Sequence, residues 1–377
     1  IPLTWWFFQQ ISLVSIAANL IAIPFVSMII TPLALIAALL PFSCLLSLSG
    51  LCLSFLVHAL QWFAQWPAAS LFLPKPPLPF ILFALLGLLF WIYSRRPARW
   101  AALTACIPLL CWRPPEVPHG QAHIVIFDVG QGNATLVRTQ NHALLIDAGP
   151  RFPPYPSPAL RFISPYLQSL GIRRLDTLIL SHADNDHAGG AIDLIQRFPI
   201  DHLQFPVPIP QLHALPQRLC RRGQSWTWDN VRFDILFPDP QALQSARSSN
   251  DHSCLVKVST PAAAVLFPGD LGRRPLNRLA RMPDAPSLAA NVLLAPHHGS
   301  NSSSPLPFIH RVSPDHVIFS ATHHHRFRHP HPAVAARYQS VGARLWHTAS
   351  DGAILISLSP SNFHITSMRQ SHPKYWH

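Results

Sequence analysis

Residues 175–190 read LDTLILSHADNDHAGG, and this stretch decides the fold of the chain's second half. Its opening, Leu175 to Leu180, is an apolar run of strand length that suits a buried strand. Two imidazoles and two carboxylates follow within six residues: His182, Asp184, Asp186 and His187. His182 and Asp184 are two apart, so in extended backbone both side chains point the same way. Asp186 and His187 follow the bend into a helix that Gly189-Gly190 opens. Four metal-competent side chains leaving one strand end can converge on a point, which is what a divalent cation needs. The spacing reads as a metal site.

Two more strand exits have the same character. Phe267-Pro268-Gly269-Asp270 closes an apolar run in a tight turn, which places a carboxylate able to bridge two ions. Leu294-Ala295-Pro296-His297-His298-Gly299-Ser300 sets two imidazoles after another apolar run. Asp147 ends a third, Ala143 to Asp147, and is read equally as a catalytic group or as an acceptor for turn amides below the ligands. Around these exits the chain alternates in type. Strands are predicted over 122–129, 134–139, 143–147, 175–180, 202–206, 225–236, 254–259, 263–268, 291–296, 315–320, 343–347 and 353–358. Helices are predicted over 158–170, 189–198, 273–281 and 332–341. This order predicts an αββα sandwich with ligands at the strand ends.

The first half is different in kind. From Ile1 to Trp112 there is no Asp or Glu, and the only charges are Lys75, Arg95, Arg96 and Arg99. All 16 acidic residues and the remaining 24 Lys and Arg lie beyond. Residues 1–112 are therefore read as transmembrane helices, 113–120 as a Pro-rich linker, 121–360 as the soluble domain and 361–377 as a basic tail. Residues 5–66 have the length of two or three spans, with Pro24, Pro32 and Pro41 marking breaks, and 78–94 of one more. If 100–112 also cross, the arginines at 95–99 lie on the cytoplasmic side and the soluble domain outside; the positive-inside bias favours this. Cys220 and Cys254 show no CxxC spacing, so neither a zinc ribbon nor a redox pair is indicated, and whether they bond depends on the side they face. The sequence opens at Ile1 and is expected to be the C-terminal portion of a longer chain.

These motifs carry a resemblance. Residues 121–358 resemble a metallo-β-lactamase-fold domain, with its His-x-[His/Asp]-x-Asp-His signature followed by a later Asp and His. DVGQGNATLV at 128–137, LLIDAG at 144–149, SHADNDHAGG at 181–190, FPGD at 267–270 and PHHGS at 296–300 resemble the ComEC family of bacterial DNA-uptake proteins. Asn19-Leu20-Ile21-Ala22-Ile23-Pro24 resembles that family's membrane motif. The resemblance implies a multi-helix transmembrane segment followed by a metallo-β-lactamase-like αββα sandwich. It implies His182, Asp184, Asp186, His187, Asp270 and His297 as metal ligands. His297 is favoured because it comes first after the strand, which leaves His298 to face substrate. Asn133 stands where the family usually has Asp, and Asn250 falls where the wider superfamily often has a ligand His.

Three carboxylates tilt the site toward manganese, the imidazoles keep zinc in play, and magnesium is also admitted; two ions are expected. Glu116, the only glutamate, lies in the linker, so a metal-activated water is the expected nucleophile, with Asp186, His298 and His329 as catalytic groups. In Thr322-His323-His324-His325-Arg326-Phe327-Arg328-His329, Arg326 and Arg328 are read as phosphate grips, together with Ser300. The expected activity is degradation of the non-transported DNA strand by a domain on the outer, periplasmic face of the bacterial inner membrane. Expected partners are DNA, membrane lipid, other DNA-uptake proteins and a second copy of the chain. Two alternatives stand beside it: a DNA-docking or gating domain with a degenerate metal site, and a membrane-tethered metallohydrolase of a non-nucleic-acid substrate.

Overall fold

The computed structural model describes residues 2–40, 42–66, 69–95, 98–208, 212, 216–282, 287–322 and 327–373. The chain divides into two compact units, Ile1–Pro114 with Gln168–Gly171, and Pro115–Leu167 with Ile172–His377.

In the first unit, two helices are long and apolar enough to cross a membrane, Val14–Leu39 with 26 residues and Ser43–Ala64 with 22. At about 1.5 Å per residue both exceed a hydrocarbon core of about 30 Å. Leu78–Tyr93 has 16 residues and falls short of that length, as does Ala98–Cys111. The breaks predicted at Pro24 and Pro32 do not occur: the helix runs through both and absorbs the lost amide in a π-helical turn, Val26–Ile30. Pro41 lies outside the described residues. Large side chains such as Leu20, Met28 and Leu39 are exposed along the first helix, as a lipid-facing surface would have them.

The second unit is built on two sheets. The first runs in the order Phe363–Ser367, Ile354–Leu358, Ala122–Ile126, Thr135–Arg138, Ala143–Ile146, Leu175–Ile179, Ile200–Phe205, Gln217–Leu219. The second runs Arg344–His347, His316–Phe319, Val292–Leu294, Ala264–Phe267, Leu255–Ser259, Val231–Phe237, Ser225–Trp228. Each sheet is antiparallel on one side and parallel on the other. The change falls between Ala143–Ile146 and Leu175–Ile179 in the first, and between Ala264–Phe267 and Val292–Leu294 in the second.

Alternate residues explain the layering. Ile146 and Ile179 meet Val265, Phe267 and Val292 between the sheets. Leu266, Leu293 and Val317 point the other way, under helices Arg273–Arg281, Leu306–Val312 and Pro332–Ser340, which bring Leu276, Leu279, Phe308 and Tyr338. Strands covered on both faces need continuous apolar runs, and those are the runs the sequence shows.

Two sequence expectations are corrected here, and one left open is answered. The single strand at 225–236 is a hairpin, because Asp229 and Asn230 both take positive φ, 48° and 65°, and turn the chain back. The tail set apart at 361–377 begins with a strand: Phe363–Ser367 pairs antiparallel with Ile354–Leu358 and forms the edge of the first sheet. Cys220 and Cys254 are disulfide-bonded, with Cα atoms 6.0 Å apart. One follows the edge strand of the first sheet and the other precedes a central strand of the second, so the bond ties the two layers.

Candidate metal centre

The side chains of interest all leave strands that flank the change of direction in each sheet, at their C-terminal ends, where open sheets form crevices for ligands. After Leu175–Ile179 the chain passes through Ser181 and His182 to a short helix, Asn185–Ala188. Asp184 sits at its N-cap, and the Asp184 carbonyl accepts the amides of His187 and Ala188 at 3.0 and 2.8 Å. That turn throws Asp186 and His187 inward, toward the second sheet. Gly269, at φ 56°, makes the bend that brings Asp270 in from Ala264–Phe267. His297, His298 and Gly299 take φ of 51°, 54° and 83° in succession, so the chain leaves Val292–Leu294 by a left-handed turn.

Asp186, His187, Asp270 and His298 come together: one ligand atom from each lies within 4.8 Å of the others. His187 Nε2 is 3.0 Å from Asp270 Oδ1 and 3.2 Å from His298 Nε2, and His298 Nε2 is 3.3 Å from Asp186 Oδ2. The second imidazole of this group is thus His298, where the sequence reading favours His297. Strand parity cannot choose between them, because the backbone has already left the strand at Pro296. His297 is nearer solvent, with Nε2 3.7 Å from Asp270 Oδ2. His182 is buried, its ring centroid 4.3 Å from that of His187. Asp184 is partly exposed, and Ser249 Oγ donates to its Oδ1 at 2.7 Å. His329 stands at the mouth, its ring parallel to His298 at 6.4 Å and its Nδ1 3.3 Å from Gln131 Nε2. Arg328 and Ser300 are on the adjoining loops, and Ser300 Oγ is 2.9 Å from Ser302 Oγ. Arg326, with His323, His324 and His325, lies outside the described residues.

Asp147 lies beneath the group, fully buried at φ 61°. Its carboxylate accepts from Ser181 N (2.7 Å), Ser181 Oγ (3.0 Å) and Asn133 Nδ2 (3.0 Å), and it meets His187 Nδ1 at 2.7 Å. A carboxylate on Nδ1 fixes the tautomer that leaves Nε2 free to ligate. Asp147 is therefore a positioning residue, and Asn133 has a defined part in holding it. Sequence reasoning missed this Asn133–Asp147–His187 chain, which crosses between segments distant in sequence.

The electrostatics follow from burial and pairing. Burial alone would raise the Asp270 carboxyl, yet the His187 and His298 imidazoles hold it well below the ordinary carboxylate range. Burial works against charge on His187 too, but Asp270 and Asp147 on either side hold it well above its usual value. Asp186 is lowered against its own burial, chiefly by the hydrogen bond to His298. The site carboxylates are ionised acceptors.

One atom tests whether these residues fit a divalent cation. His182 Nε2 is buried with no hydrogen-bond partner among the described residues, and Asp184 Oδ2 is 3.6 Å from it. Buried polar atoms are rarely left unpaired, and a lone imidazole nitrogen facing carboxylates is suited to a metal. The donor set fits. Asn250, in the short helix Asn250–His252, adds no imidazole.

The family model "Metallo-beta-lactamase superfamily" matches residues 127–323, and "Competence protein" matches residues 1–98. The chain is similar to Competence protein ComA of Neisseria gonorrhoeae, 32% identical over 357 residues, which cover 94% of this chain and 49% of that protein. It is similar to ComE operon protein 3 of Bacillus subtilis, 26% identical over 94% of this chain and 50% of that protein. The chain spans about half the length of these relatives. Among solved structures it is similar to YhfI of Bacillus subtilis, a metallo-beta-lactamase fold protein, at 12% identity and TM-score 0.40, over 65% of this chain and 99% of that one.

Proposed function

Because this chain belongs to the metallo-beta-lactamase superfamily and carries a competence-protein domain ahead of that fold, we propose that it is part of a membrane channel for DNA uptake whose soluble domain cleaves phosphodiesters. The observation that carries the proposal is the convergence of Asp186, His187, Asp270 and His298 at the strand ends of both sheets. His182 and Asp184 are assigned to a second ion beside them. Divalent cations bound there, manganese or zinc, supply a nucleophile at neutral pH and stabilise charge on the phosphodiester. The chain's own residues do the rest. Asp147 orients His187, Asp270 faces the imidazoles of His187 and His298, and His329 at the mouth is assigned the proton exchange with the leaving group. Ser300 and Arg328, on the adjoining loops, are assigned to the phosphate oxygens.

The disulfide supports an outer-face location, since such bonds persist in oxidising compartments. In this reading the helices pass the membrane several times, one DNA strand is transported, and the domain removes the other. Other DNA-uptake proteins and a second copy of the chain are its proposed partners. A thiol-reactive or fusion reporter that places the domain in the cytoplasm would overturn the orientation. The activity is tested with the full chain in detergent, DNA, and added manganese, magnesium or zinc, against a variant carrying Asp186→Ala and His187→Ala. Metal-dependent degradation lost in the variant is expected. DNA binding without degradation, in a metal-loaded protein, would instead make the domain a docking module.

A further inference from the structure

A second cavity, of about 610 Å³, opens between the sheets at the edge formed by Gln217–Leu219 and Ser225–Trp228. It shares no residue with the metal group. Register shows why it is unusual. Ile179 faces the inter-sheet core; Thr177, two residues before it, faces the same way, and so do the cross-strand partners His202, Gln204 and Arg218. On the opposite sheet Trp226 pairs with Phe233 and Trp228 with Val231, both inter-sheet core residues. Positions that a sandwich fills with aliphatic side chains are here Thr, His, Gln and Arg, facing two tryptophans.

The unsatisfied groups define a ligand. Trp226 Nε1 and His202 Nδ1 are buried and have no hydrogen-bond partner among the described residues. Arg218 is exposed at the rim and makes no ion pair among them. Several acceptors nearby are engaged. Asp176 meets His142 Nδ1 at 3.0 Å and accepts Ala143 N at 2.8 Å, Asp201 accepts Arg174 at 2.6 Å, and Gln224 Oε1 accepts Gln204 and Arg221 N. The cleft offers an indole donor, a guanidinium and an imidazole beside fixed aromatic plates. Trp226 is stacked on Phe233 at 5.2 Å and Trp228 on His142 at 4.7 Å. A planar base with carbonyl acceptors, joined to a phosphate, matches the plates, the indole and the guanidinium: ring against ring, acceptor to the indole N–H, phosphate to the guanidinium.

We infer that this inter-sheet cleft binds a nucleotide, separately from the metal centre. The ligand chemistry has two sources, a free mononucleotide or a base within a single strand. The inference rests on the cleft's own groups and stands whether or not the metal centre hydrolyses DNA.

The test uses the full chain in detergent with EDTA present, and again in an Asp186→Ala background, so that the metal centre does not contribute. Thymidine monophosphate is measured by equilibrium dialysis, a labelled eight-nucleotide thymidine strand by fluorescence anisotropy, and a neutral oligosaccharide serves as the third probe. Trp226→Phe keeps an aromatic ring against Phe233 while removing the N–H together with the five-membered half of the indole; it is expected to weaken binding about 3- to 10-fold. Arg218→Ala, at the exposed rim, is expected to weaken it about 10-fold. Saturable binding of either nucleic probe, reduced in both variants, supports the inference, and the probe that binds names the source. No saturable binding of either probe, binding indifferent to both substitutions, or capture of the oligosaccharide alone would overturn it.

Discussion

The Asp147→Asn substitution isolates the positioning of His187 from the ligands themselves. Asp147 Oδ1 takes Ser181 N at 2.7 Å, while Oδ2 faces His187 Nδ1 at 2.7 Å, Ser181 Oγ at 3.0 Å and Asn133 Nδ2 at 3.0 Å. An amide retains one acceptor and turns the other into a donor. If its NH₂ replaces Oδ1 it opposes the Ser181 amide, which cannot move. If it replaces Oδ2, Ser181 Oγ can rotate and Asn133 can flip, but His187 must accept at Nδ1 and move its proton to Nε2. That nitrogen is 3.0 Å from Asp270 and belongs to the ligand group, and a protonated nitrogen does not ligate. Loss of such an outer partner costs about 10- to 100-fold in metal affinity, or about 1.4–2.7 kcal/mol. Competition of the full chain with a fluorescent chelator measures this directly. An affinity within about twofold of the native chain would refute the assigned tautomer.

Removing the disulfide with Cys220→Ser and Cys254→Ala frees a 34-residue separation, and the loop-closure entropy amounts to about 4 kcal/mol; calorimetry should show Tm falling by about 10 °C, and an unchanged Tm would count against a tie between the sheets. Gly269→Ala sets a Cβ at positive φ, 2.9 Å from the Ser181 and Ser253 Cβ atoms, so the loops bearing His182 and Asp270 must separate; metal content measured by mass spectrometry should drop, and full occupancy would contradict this. Asp229 is lowered because hydrogen bonds from Thr139 and Asn141 outweigh its burial, so its stabilising effect is present above its ordinary value near 3.8 and lost as the pH falls; Asp229→Asn should flatten the acid limb of Tm against pH, and two parallel limbs would rule that out. Stripping bound metal with EDTA should lower Tm by about 5–10 °C when the ion had been present at about 100 times its Kd, and restoring the ion should reverse the change.

The buried parallel strands were legible because strands covered on both faces are mostly apolar, as at 263–268 and at 175–180, where only Asp176 and Thr177 interrupt. Their exits were legible because strand polarity places them along one edge. Features set by partners rather than by local pattern were not. SWTWDNVRFDILF alternates well enough to read as one strand, and only the two positive φ values at Asp229 and Asn230 break it. Gln217–Leu219 is a three-residue, exposed edge strand with no apolar signal of its own. The Cys220–Cys254 bond and the Asn133–Asp147 contact join segments that meet only after the sheets stack. At 297–298 the ligand choice depends on a left-handed turn that two adjacent histidines do not announce.

The covalent tie between the layers also sets an order of events. Cys254 N donates to the Ser181 carbonyl at 2.9 Å, and the Ser253 hydroxyl receives the Asp270 amide at 3.2 Å. One bonded sulfur pair therefore clamps the bases of two ligand-bearing loops, and a chain that still carries both thiols has to find that arrangement through non-covalent contacts alone. Where the bond is formed, the two loops are held together before any ligand atom is engaged.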